Sequence, residues 1–211
     1  SNFEPVTKNK FSDKSWRPQS NFTFTANKPV CQLGVAELPH AMLRAPLAFF
    51  CTDDDYFIAS LQGLEHDSNC YLSSNGQWIK GIYIPAIYRH YPFLLVWDSE
   101  KSIEVLSIDT DSGLVEDNES CEPFFDEDGN LAAPTRAVLD SLSELSAGLK
   151  VTARICKALL KHNLFKPWEL EVGLDSGIKR IDGLFCINEA ILNALSDEDF
   201  AELRNIGALP V

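Results

Sequence analysis

An arginine and a histidine set among tyrosines can hold an anion. The guanidinium fork pairs with two oxygens at once, and the aromatic faces stack on a planar ligand. Residues 78 to 97 contain that combination: Arg89 and His90 sit next to each other, with Tyr83, Tyr88 and Tyr91 beside them and Trp78 at the start of the block. Six aromatic residues and two prolines, Pro85 and Pro92, share these twenty positions. The candidate ligand-binding set is therefore Trp78, Tyr83, Tyr88, Arg89, His90 and Tyr91. The same spacing has a plainer reading. On a helix Ile84, Ile87, Tyr88 and Tyr91 share one face, so Pro85 would start a short core helix with Arg89 at its exposed end. Both readings stay open, and core packing is the commoner use of such a stripe.

The other reactive side chains form no recognisable constellation. Cys31, Cys51, Cys70, Cys121, Cys156 and Cys186 lie at least 19 positions apart, without a C-x-x-C pair or a Cys/His cluster of zinc spacing. The four histidines, His40, His66, His90 and His162, have no local signature pairing them with a cysteine nucleophile, and there is no G-x-S-x-G elbow for a serine. No catalytic residue, cofactor or metal is assigned; a non-enzymatic protein is expected, and the alternative is a small-molecule binding protein or enzyme whose pocket is lined by Trp78, Tyr83, Tyr88, Arg89 and Tyr91. Asp109-Thr-Asp111-Ser-Gly113 and Asp126-Glu-Asp128-Gly-Asn130 alternate oxygen ligands, but neither has the glycine at position six or the glutamate at position twelve of an EF-hand. Both read as solvated turns, the second leading into a helix.

Charge narrows the partners. Eighteen basic against thirty-one acidic residues give a net charge of −13, which excludes the basic footprint that nucleic acid requires. Twelve carboxylates against Lys101 lie between residues 98 and 128, a local charge of −11, so the acidity belongs to one segment. No apolar run approaches the roughly 20 residues that span a bilayer, and the first residues do not resemble a signal peptide. Scattered cysteines within apolar runs read as reduced and mostly buried. A cytoplasmic location follows, with the cell surface as the alternative. A protein partner, self-association or a small molecule remain as classes of partner.

The elements that must position the block follow from periodicity and punctuation. Residues 1–30 are polar and interrupted by Pro5, Pro18 and Pro29, an extended N-terminal arm in which Phe22 to Thr25 alternates like an edge strand and Trp16 could anchor to the body. Leu47 to Thr52 and Tyr56 to Leu64 predict a hairpin across Asp53-Asp54-Asp55. Asn69 to Leu72 predicts a short strand before a turn at Asn75-Gly76, whose glycine supplies positive φ. Phe93 to Trp97 and Ile103 to Ile108 predict two more strands. Val138, Leu142, Leu145, Leu149, Cys156 and Leu159 repeat at helical spacing, predicting one amphipathic helix from a Thr135 cap to about His162, kinked or split at Gly148. Trp168 to Val172 and Ile178 to Ile187 predict strands around an Asp175-Ser176-Gly177 turn. Helices capped by Asn188 and Ser196 then close the chain.

These residues carry a resemblance. Glu37-Leu38-Pro39, Ala45-Pro46-Leu47-Ala48-Phe49, Leu61-Gln62-Gly63-Leu64, Asn69-Cys70-Tyr71-Leu72 and Gly76-Gln77-Trp78 match in order. So do Tyr83-Ile84-Pro85-Ala86, Arg89-His90-Tyr91-Pro92-Phe93, Phe125-Asp126-Glu127-Asp128-Gly129 and Asp182-Gly183-Leu184-Phe185. Together they resemble the SapC family of bacterial proteins, called after a surface-layer-associated protein. Two departures stand out: His90 replaces an expected second arginine, and the chain ends at Leu209-Pro210-Val211 where similar proteins continue. The resemblance implies association with the surface layer and an accessory role; similar proteins are often encoded near outer-membrane receptors and flavin-dependent halogenases. The expected architecture is a single α+β domain over residues 31–211. A mostly antiparallel sheet packs on the long helix of the C-terminal half, closed by a hairpin and two short helices.

Overall fold

The computed structural model describes residues 2–118, 120–175 and 177–209. Glu119 of the acidic segment, Ser176 at the centre of the expected turn, and Ser1, Pro210 and Val211 at the chain ends lie outside the described residues. The first elements are β1 (Phe3–Pro5), α1 (Lys8–Phe11), β2 (Ser15–Trp16), β3 (Val30–Gln32), α2 (Leu38–Ala41), β4 (Leu47–Thr52) and β5 (Asp55–Leu61). Next come α3 (Ala86–Arg89), β6 (Phe93–Asp98), β7 (Ile103–Asp109), β8 (Val115–Glu116), β9 (Glu122–Pro123) and α4 (Ala133–Lys161). The chain continues with β10 (Phe165–Pro167), β11 (Leu170–Leu174), β12 (Gly177–Ile181), β13 (Phe185–Ile187), α5 (Glu189–Asn193) and α6 (Asp197–Asn205). All strand pairs of these sheets are antiparallel, so the expected α+β class holds.

The chain divides into two compact units, each with its own hydrophobic core. The first comprises the residues up to Phe22 and Ala86–Ala147. The β6–β7 hairpin adds β1 beside β7, giving the order β1-β7-β6, and β2 lies between β8 and β9 in a second small sheet. Phe11, Trp16, Phe93 and Phe124 are buried and in ring contact: Phe11 with Phe124 at 4.9 Å, and Trp16 edge-on to Phe93 at 4.7 Å. Val138, Leu142 and Leu145 of α4 pack on this core, as the helical stripe predicts. Trp16 is an anchor, and Thr135 is part of the reason. Thr135 does not cap the helix, which begins at Ala133 with Pro134 in its first turn. Its buried hydroxyl accepts the Trp16 indole N–H at 2.9 Å and donates to the Pro123 carbonyl at 3.1 Å.

The second unit comprises Thr23–Pro85 and Gly148–Val211. Its five-stranded sheet has the order β10-β13-β4-β5-β3, and β11 and β12 form a separate hairpin. The expected β4–β5 hairpin is present, with Asp53 and Asp54 at positive φ in its turn. Leu33, Leu38, Phe49, Ile58, Ile155 and Leu159 form the centre of the core.

Four expectations need correction here. Thr23–Thr25 is a 3-10 turn and not a strand, because Thr25 is wholly buried and both its carbonyl and hydroxyl oxygens accept from the Asn69 amide at 3.2 Å. That amide holds Asn69 in a loop as well, so only an isolated bridge, Leu72 to Trp78, remains of the strand expected there. Ile178 to Ile187 is interrupted at Gly183, whose φ of +80° ends one strand before Phe185 starts the next. Helix α4 runs unbroken through Gly148. Asn188 and Ser196 cap their helices as expected, accepting from Ile191 N–H at 3.4 Å and Asp199 N–H at 3.1 Å.

Candidate functional site

Arg89 and His90 owe their position to a short helix. Pro85 precedes α3, Tyr88 faces the core at 4% exposure, and Arg89 ends the helix exposed to solvent. Gln19 donates its side-chain amide to the carbonyls of Tyr88 and Arg89 at 3.2 and 3.3 Å. The His90 carbonyl accepts from Phe93 N–H at 2.8 Å across a cis Tyr91–Pro92 bond, which leads the chain into β6.

Tyr91 reaches a buried carboxylate. Asp109, at the end of β7, is 1% exposed. Its Oδ2 accepts the Tyr91 hydroxyl at 3.0 Å, and its Oδ1 accepts the N–H of Asn2 at 2.9 Å and of Asp111 at 3.2 Å. A charge so removed from water is stable only when donors surround it. Burial, the bond to Asp109 and the nearby negative charge push the Tyr91 phenol up to about 12.

Tyr83 does the same work in the second unit. Glu37, at the end of a 3-10 turn before α2, is 7% exposed. Its carboxylate accepts the Tyr83 hydroxyl at 3.0 Å and Gly34 N–H at 3.0 Å. The Tyr83 ring stacks near-parallel on His40, with centroids 6.4 Å apart. One residue from Gly34, Val35 N–H donates to Thr152 on α4 at 2.8 Å, and Thr152 donates back to the Gly148 carbonyl at 2.9 Å. Trp78 is half-buried and lies edge-on to Tyr71, whose hydroxyl donates to the Leu61 carbonyl. Tyr88, Arg89, His90 and Tyr91 thus belong to the first unit, and Trp78 and Tyr83 to the second.

Sequence reasoning did not anticipate that Glu37 and Asp109 are the acceptors of these tyrosines. The signal available was Glu37 within the Glu37-Leu38-Pro39 block, where an acid adjoins an apolar residue and a proline. A second missed cluster lies between the end of α4 and α6. His162 Nε2 is 3.2 Å from Glu202, its Nδ1 is 3.7 Å from Asp199, and Lys161 Nζ bonds both Glu202 oxygens at 2.8 Å. His162, Asp199 and Glu202 are the described residues whose donor atoms, within 4.8 Å of one another, could hold a metal. Lys161 already supplies a cation to Glu202, and its bond holds that carboxyl below the usual glutamate range. The cluster works as an ionic clasp between two helices.

The cysteines differ in burial. Cys31 and Cys156 are buried, Cys51, Cys121 and Cys186 half-buried, and Cys70 exposed, so fewer are fully buried than the apolar runs suggest. Burial pushes the Cys156 thiol up to about 11, away from the thiolate that a nucleophile needs. The two acidic motifs are turns. Asp109 caps the Thr110–Ser112 turn before Gly113 at positive φ, and Asp126 accepts from Asn130 N–H at 2.8 Å around Gly129. Among the described residues no helix is long and apolar enough to cross a membrane.

No curated protein and no solved structure matches the chain. The SapC family model matches residues 6–211. The matched range includes the Tyr83 and Tyr91 segments just described, and with nearly the whole length covered the chain belongs to the SapC family.

Proposed function

We propose that this protein is a non-enzymatic accessory protein that works by contact with other macromolecules. Membership in the SapC family supports an interaction-type protein. The observation that carries the reading is the use made of the tyrosine block: the Tyr83 and Tyr91 hydroxyls hold buried carboxylates, and Tyr88 is core. In-cell crosslinking of the tagged protein in its host tests it. The expected result is a defined protein partner or a self-crosslink, recovered equally by wild type and Arg89→Ala. Recovery of uncrosslinked protein alone would overturn it.

A second reading has one observation behind it. Arg89 is exposed at the end of α3 beside half-buried His90, a position from which a guanidinium can meet an anionic small molecule. In that reading Tyr88, Arg89, His90 and Tyr91 form the ligand-facing segment of the first unit. For compartment we propose the cytoplasm, supported by six cysteines spaced without pairing; the surface layer suggested by the family name is the competing location. Fractionation of the host, with thiol counting on the denatured protein, separates the two.

A further inference from the structure

We infer that the second unit holds a binding pocket for a small uncharged aromatic molecule. The pocket, of about 160 Å³, opens beside the five-stranded sheet and is separate from the tyrosine block. Its floor is one row across three strands: Phe185 on β13 pairs with Phe49 on β4, and Phe49 pairs with Ile58 on β5. Directly paired residues of an antiparallel sheet project to the same face, so the three side chains stand together. Two more rings on the same face brace the row, since Tyr56 is two residues from Ile58 and Phe165 pairs with Ile187, two residues from Phe185. Phe165 lies 4.9 Å edge-on from Phe49 and stacks on Tyr56 at 4.0 Å, and Tyr56 meets Phe185 at 5.1 Å.

Leu38 of helix α2 and Met42, its C-cap residue four positions on and so on the same face, supply one wall. Leu38 is buried, whereas Met42 is 64% exposed at the rim. Trp168 supplies another wall, its backbone N–H tied to the Leu184 carbonyl at 2.9 Å. None of the lining side chains carries a charge. A wall set by strand pairing and ring contacts cannot collapse to fill the space as a loosely packed core does. An apolar cavity of about 150 Å³ suits a single ring such as benzene, and the flexible thioether of Met42 can adapt over such a ligand. The lining excludes a charged group, which would be desolvated without a partner.

Met42, the one methionine of the sequence, lines the pocket at its rim, so the methyl resonance of protein labelled with [methyl-13C]methionine reports occupancy. Full-length protein is titrated with 4-methylphenol. The Met42 resonance should shift saturably, about four-fifths of the way at four times the dissociation constant by mass action, with 4-methylbenzoate giving no shift. Trp168→Ala removes a wall but no residue of either core; with its circular dichroism unchanged, it should lose the shift. No shift, a shift that never saturates, an equal shift with the anion, or a saturable shift retained in Trp168→Ala would each overturn the assignment.

Discussion

Tyr91→Phe removes a single oxygen and leaves the ring, its packing and the following Pro92 in place. The lost group donates at 3.0 Å to Asp109, a carboxylate at 1% exposure, so water has little access to replace it. A hydrogen bond to a charged group contributes about 1.5–3 kcal/mol net, and the variant should lose that much in urea unfolding at pH 7. At about 2–4 °C per kcal/mol for a chain of this size, the midpoint should fall by about 3–12 °C. Because the two units have separate cores, the loss should appear as faster hydrogen exchange in peptides covering 93–109, with the second unit's sheet unchanged. Alkali gives an independent check. The folded phenol titrates at about 12 against an ordinary value of 10.0. The unfolded state therefore loses its proton first, and the stabilisation, complete below pH 10, disappears as pH rises toward 12. The gap between wild type and variant should narrow over that interval. A variant within about 0.5 kcal/mol of wild type at pH 7, the scatter expected of a neutral surface change, or a gap that persists at pH 12, would refute the reasoning.

Other perturbations follow the same logic. Thr135→Val strips the partner from the Trp16 indole and the Pro123 carbonyl inside the first core, and should cost about 1–3 kcal/mol by urea unfolding. Two glycines should respond in opposite ways to alanine. A Cβ at Gly63 falls on the Ser68 backbone carbonyl and should cost about 1–3 kcal/mol or more, whereas Gly148→Ala, with open space around it in mid-helix, should gain about 0.5–1 kcal/mol. Lys161 holds the Glu202 carboxyl below 4.5. Its stabilisation is present above that pH and is lost as pH falls through the lowered folded value. An NMR titration of Glu202 should show a midpoint below 4.5 that moves back up in Lys161→Met.

Local chemistry was legible where the cause was local. The β4–β5 hairpin, the Asn188 and Ser196 caps, and the stripe of α4 each depend on residues within one turn or one period, so alternation, cap residues and spacing revealed them. Thr135 was misread because its real partner, Trp16, is 119 positions away; a threonine near a helix start satisfies the cap rule whatever its hydroxyl does. Phe22 to Thr25 alternates correctly for a strand but is bent by the Asn69 amide, 44 positions on from Thr25. The spacing of the tyrosine block reveals its helical face, but the acceptors of its hydroxyls, Glu37 and Asp109, lie 46 and 18 positions from their tyrosines. Buried ion-like partners leave no periodic trace, since one carboxylate in a loop looks like any other. The clasp at His162 was hidden similarly, by a separation of 40 positions from Glu202. The long helix conceals another feature: its stripe is continuous, while its first half packs in one core and its second half in another.

The proposal that the tyrosine block supports the fold and does not hold a substrate is tested most directly by native mass spectrometry of the protein purified from its host, wild type beside Arg89→Ala. An architectural block predicts the same bare or self-associated mass for both. A small anionic molecule retained by wild type and absent from a folded Arg89→Ala would contradict it.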